Sequence, residues 1–208
     1  MKLPIVASLI LLVAMLALRI RYLNKSSSQT LADYMKREEE ANYVRKQSLD
    51  GLPYLQVDLT KLPMTTLKDD PEIAGIQEKL RDLAGKPILN LAGRSNTDLK
   101  LEYGTANISV LSEYDENYMQ LITLLQSWAE YLNTRGKDLD AGQILEYAIE
   151  IGSDVVPTYQ MLAGLYVSHG RMDLVEDLKK TAAALPSSSK DRILRELDKV
   201  TSLDDLLS

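Results

Sequence analysis

The side chains able to do chemistry in this sequence are few. His169 is the single histidine, and no motif marks a nucleophile or an orienting acid for it. Beside Gly170 it reads as a turn residue. The chain has no cysteine, which removes disulfides, thiol nucleophiles and thiolate zinc sites, so neither a metal site nor a cofactor is expected. The carboxylate pairs Asp69/Asp70, Asp115/Glu116 and Asp204/Asp205 are adjacent in sequence. Neighbours on a helix point apart, so such pairs suit helix starts and solvated faces better than a shared ligand. Gly85-Lys86 lacks the flanking Gly and Ser/Thr of a phosphate loop. Asn24-Lys25-Ser26 and Asn107-Ile108-Ser109 match short glycosylation patterns that recur by chance. One enzymatic alternative stays open: a carboxylate/amide site within residues 86–112, formed by Asn90, Asp98, Glu102 and Asn107.

Charge narrows the partners. The net charge is −6, and residues 113–185 hold 12 acidic and 5 basic side chains. Nucleic acid is not expected, because phosphate binding needs a basic footprint. Residues 19–50 run the other way, with 7 basic and 5 acidic side chains. That excess adjoins an apolar stretch and suits anionic headgroups.

Leu3 to Leu18 carries no charge, and with Ile20, Tyr22 and Leu23 a helix of this segment reaches about 31 Å, the thickness of a hydrocarbon core. Residues 3–23 are therefore expected to span the membrane once. A cleaved leader is the rival reading, but no small-x-small site follows the run. Arg19, Arg21 and Lys25 outweigh Lys2 and the amino terminus by about one charge, which places the following domain in the cytoplasm by the positive-inside rule.

The segments that must position any site then follow. Residues 1–23 are read as anchor, 24–70 as juxtamembrane helix and linker, 71–121 as a helical cover, and 122–208 as helical hairpins with a capping helix. Leu31–Gln47 is amphipathic and rich in mixed charge, the pattern of a solvated linker helix first and of a stalk or membrane-surface helix second. Tyr54, Leu55, Val57 and Leu59 suit a short extended segment. Asp70-Pro71-Glu72 starts a helix that runs to Ala84, with Ile73, Ile76, Leu80 and Leu83 on its buried face. Ser95 to Asp98 caps a short helix ended by Gly104.

The strongest pattern lies nearer the C-terminus. Similar residues recur 34 apart: Leu125/Tyr159, Trp128/Leu162, Ala129/Ala163, Leu132/Tyr166, Gly136/Gly170 and Ala148/Ala182. Small residues allow helices to cross closely, and the glycines suit the left-handed end of a helix. Large apolar, small, aromatic, glycine, alanine in that order resembles the tetratricopeptide repeat over residues 122–188. Val175, Leu178, Pro186 and Ser153 depart from that pattern. The expected fold is mainly α: a single transmembrane helix followed by tetratricopeptide-like hairpins.

Stacked hairpins need covering at both ends. Residues 71–121 and the last amphipathic helix, with Ile193, Leu194, Leu197 and Val200, are expected to supply it. The resemblance implies a groove that binds a protein or peptide, faced by Gln126, Glu130 and Asn133 of one repeat and by Gln160, Gly164 and Val167 of the next. Surrounding acid favours a basic or neutral peptide. The function read from the sequence is a membrane-anchored adaptor, not an enzyme; self-association through Leu31–Gln47 or the last helix is the further alternative.

Overall fold

The computed structural model describes residues 30–207, with side-chain surroundings as far as Val200. The expected span at 3–23 lies outside the described residues. Among those described, no helix is long and apolar enough to cross a membrane. They form α-helices and short 3-10 turns, with no strand. They divide into two compact units, one containing the residues up to Ser48 with Ser95–Ile108, the other Leu49–Arg94 with the chain from Ser109 on. The segment 71–121, read from sequence as one cover, is thus shared between the two.

The smaller unit is built on α1, over residues 30–42, and α3, Asn96–Tyr103. Ser95 and Asp98 bond each other's backbone N–H reciprocally, which satisfies donors that the first turn would otherwise leave bare. Arg37 donates to Asp98 at 2.7 Å, Thr97 donates to Glu38 at 2.6 Å, and Lys100 pairs with Glu38. The helix expected as far as Gln47 stops five residues earlier. Its continuation is drawn away by bonds distant in sequence: the Gln47 N–H donates to the Tyr103 carbonyl at 2.9 Å, and the Asn107 amide donates to the carbonyls of Gln47 and Tyr103, each at 2.7 Å. No glycine or proline marks that end.

The larger unit holds α2, Pro71–Ala84, and α4 to α8. In α2, Asp70 caps the N-terminus by accepting from the N–H groups of Glu72 and Ile73. Ile73, Ile76, Leu80 and Leu83 are buried as their spacing requires. Ahead of α2, residues 55–67 form a strap rather than a strand. Leu55 donates its N–H to Ile88 at 2.9 Å, and Leu55, Val57, Leu59, Met64 and Leu67 pack on the core.

α4 runs unbroken from Ile108 to Thr134, across the boundary drawn at 121/122 from sequence. It contains no glycine or proline, so nothing divides its cover half from its hairpin half. α5, Asp138–Glu150, follows the turn at Gly136 and packs on α6; α6, Val156–Ser168, and α7, Met172–Ala183, form the next hairpin; α8, Lys190–Leu207, packs on both α6 and α7. Trp128, Ala129, Leu132, Ala148, Tyr159, Ala163 and Ala182 are all buried in one core. Tyr166 is only half-buried and donates its hydroxyl to Glu146 at 2.8 Å.

The two hairpins turn in the same way. Gly136 has φ 67° and Gly170 φ 69°. Gly136 N–H bonds the Asn133 carbonyl and Gly170 N–H that of Val167, both at 2.9 Å. Lys137 N–H bonds the Leu132 carbonyl at 3.0 Å and Arg171 N–H that of Tyr166 at 2.8 Å. This is one helix-ending motif used twice, 34 residues apart, and it needs a residue without Cβ at the left-handed position.

Candidate functional site

The outer stripe of α4 carries Gln126, Glu130 and Asn133, and that of α6 carries Gln160, Gly164 and Val167, each stripe at spacings of three and four. Glu130, Asn133, Gln160 and Gly164 are exposed, while Gln126 and Val167 are half-buried. Two polar links cross between neighbouring helices. Gln126 accepts from the buried Thr158 hydroxyl at 2.8 Å and donates to Glu130 at 2.7 Å. Gln160 donates to Glu196 of α8 at 2.9 Å. The Glu196 carboxyl is held below its usual range, mainly by Lys199, with Gln160 contributing. The two glutamines, polar positions 34 apart in the sequence, therefore each bridge one helix to the next.

Gly164 stands apart from the other site residues. It sits inside α6, yet a Cβ built there meets nothing within 4 Å. Glycine inside a helix costs roughly 0.5–1 kcal/mol relative to alanine, and here neither close packing nor a positive φ offsets that cost.

Three cavities open on the larger unit, and none is lined by the six stripe residues. One, of about 470 Å³, lies between α2 and α4 and is lined by Lys79, Asp82, Lys86, Glu116, Met119 and Leu124 among others. Another, of about 710 Å³, lies where residues 90–94 meet α4, the starts of α6 and α8, and Asp115, Tyr118, Asp154 and Arg192. Its polar groups are largely occupied by the fold. Asp115 accepts from the Leu91 N–H, Ser187 donates to Asp154, and Tyr118 donates to the Ile151 carbonyl. Burial, then the negative charge of Asp154, drives the Tyr118 hydroxyl far above its ordinary pKa. Sequence reading missed this gathering because its members come from four separate segments, none with a local motif.

The third cavity, of about 440 Å³, is lined by residues of α5, α6 and the start of α7, including Glu146, Tyr166 and His169. The His169 Nδ1 lies 2.7 Å from the Leu165 carbonyl, within its own helix end. Burial, then the Glu146 carboxylate, raises the Tyr166 hydroxyl well above its usual range. The Ser168 hydroxyl lies 3.2 Å from His169 Nδ1 and donates to the Leu165 carbonyl at 2.8 Å, so both side chains turn onto the same helix end. Among the described residues no group of three or more acids and histidines is placed to hold a metal ion.

Nor do the carboxylates and amides of residues 86–112 come together in any of these cavities. Asn90 belongs to the larger unit, donates to the Gly152 carbonyl at 3.2 Å and accepts from the Ala92 N–H. Asp98 caps α3, Glu102 accepts from Tyr103, and Asn107 tethers Gln47, all in the smaller unit. Comparison with protein-family models, with curated proteins and with solved structures finds no match to this chain.

Proposed function

We propose that this protein is a membrane-anchored interaction module, held in the bilayer by residues 3–23 and binding a protein or peptide on tetratricopeptide-like hairpins in the cytoplasm. The observation that carries this reading is the repeated hairpin turn: one backbone motif at Gly136 and at Gly170, 34 residues apart, with α8 stacked on the second pair. Stacking of this kind presents the first helix of each pair side by side. The bound segment lies along α4 and α6, over Glu130, Asn133, Gln160 and Gly164. An exposed helix-interior glycine that touches nothing suits the close approach of a partner's backbone. Glu130 and Glu196 favour a basic or neutral peptide there.

The test is co-purification of the full chain in mild detergent beside a Glu130→Arg/Gly164→Arg variant. Both residues are exposed, so the core is left untouched. A stoichiometric partner held by the parent and lost by an equally helical variant supports the site. A partner retained by parent and variant alike, or found with neither, refutes it. Protease added outside intact cells checks the orientation, since digestion of the hairpins would reverse it.

A further inference from the structure

Large apolar side chains that stand in solvent are concentrated at one place. Leu31 (59 % exposed), Tyr34 (58 %), Met35 (63 %) and Tyr43 (81 %) fall in the stretch 31–43; the rest of the described chain adds Met119 and Leu139. Leu31, Tyr34 and Met35 share one face of α1 through spacings of three and four. Glu38 and Asn42 continue that face, and there α3 covers it: Lys100 reaches both, and Thr97 bonds Glu38. α3 therefore protects the far half of the face and leaves the first turns bare. Asp33, Lys36 and Glu40 occupy the opposite side.

We propose that this bare end of α1 rests on the lipid surface, with Leu31, Tyr34 and Met35 at the boundary between headgroups and acyl chains. The inference rests on the membrane anchorage proposed above. Between the apolar stretch ending at Leu23 and the start of α1 lie six residues, Asn24 to Gln29. Fully extended they reach at most about 22 Å, so α1 is tethered within reach of the headgroups. Three side chains are too few to bind a bilayer alone, but a tether raises their effective concentration at it. Arg19, Arg21 and Lys25 add attraction to anionic lipid, and tyrosine favours the interface. A second copy fits the patch poorly. One exposed turn falls far short of the roughly 1,200–2,000 Å² that a stable protein interface buries.

The experiment uses the full chain, reconstituted into vesicles of phosphatidylcholine and phosphatidylglycerol whose acyl chains are brominated near the headgroup. Tyr34→Trp and Glu40→Trp place a fluorophore on opposite faces of α1. The parent, whose single Trp128 is buried in the hairpin core, gives the background. The expected result is loss of most of the added emission at position 34 and little loss at position 40. Equal quenching at both positions overturns the inference, as does emission at 34 that ignores the bromines and instead depends on the protein-to-lipid ratio, the signature of a second copy. Alkaline carbonate extraction of the same vesicles reports separately on the anchor. Release into the wash removes the anchorage reading, and retention without quenching at 34 removes only the lipid-facing helix.

Discussion

Tyr131 donates its hydroxyl to Asp70 over 2.8 Å, joining the last turns of α4 to the N-cap of α2. Arg135 completes the group, with its guanidinium 4.7 Å from the Tyr131 ring centroid and 3.5 Å from the Asp70 carboxylate. The Asp70 carboxyl is held below its usual range, chiefly by Tyr131, against the opposing effect of burial. A depressed folded-state pKa gives stability that is present above the unfolded value, near ~3.9, and is lost as pH falls through the folded one. The melting temperature should therefore drop on acidification, and the drop should be smaller in Tyr131→Phe. Equal acid sensitivity in parent and variant would show that this contact does not couple to folding.

At high pH the sign reverses. Tyr159, which donates to the Ser153 carbonyl at 3.0 Å, has its hydroxyl pushed up to about 12 by burial and then by Asp154. Tyr118 and Tyr166 are raised as well, and burial is the leading cause in both. A raised pKa stabilises below the unfolded value, near ~10, and that stability is lost as pH climbs toward the folded one. Ultraviolet titration of the 11 tyrosines should show an early exposed group and a late group whose ionisation coincides with loss of helical circular dichroism. A single tyrosinate transition near the ordinary value would contradict the buried placements.

Gly164→Ala should raise stability by about 0.5–1 kcal/mol in urea titrations, because the added methyl meets open space in a helix interior. The same substitution should weaken partner capture. Stability that rises with binding unchanged would mean that no backbone approaches this residue.

Gly93 and Gly170 both adopt positive φ, 80° and 69°, yet their surroundings differ. A Cβ at Gly170 meets nothing within 4 Å, whereas one at Gly93 falls 2.8 Å from the Pro186 carbonyl oxygen. Gly170→Ala should cost about 1–2 kcal/mol from backbone strain. Gly93→Ala should cost more, since residues 90–94 must also move off Pro186. Equal shifts in urea midpoint would show that this close approach yields freely.

Those elements whose ends depend on local chemistry were legible in the sequence. Asp70-Pro71 and Ser95 to Asp98 start helices through bonds to their own first turns, and the glycines at 136 and 170 end helices through their own φ. The remainder was not. α1 stops where Tyr103 and Asn107 capture residue 47, and no nearby residue announces that contact. Likewise, α4 passes residue 121 without a break because nothing there breaks a helix. The stripe positions on α4 and α6 were implied by the tetratricopeptide resemblance, whereas the cavity beside residues 90–94 arises only when four distant segments meet.

The strap has a consequence for synthesis. Its bonds reach far down the chain: the Asp58 N–H donates to the Tyr147 hydroxyl, the Lys61 carbonyl accepts from Gln143, and Lys61 pairs with Glu150. Sequence separations of 82 and 89 make these among the costliest loops to close, while each hairpin closes locally. On the ribosome the strap leaves the exit tunnel long before α5 exists to receive it. Its contacts with α2 and Ile88 can close early, but its bonds to α5 must wait through several seconds of translation, at roughly 5–20 residues per second. The strap is therefore expected to complete its docking only after the later-made α5 has emerged.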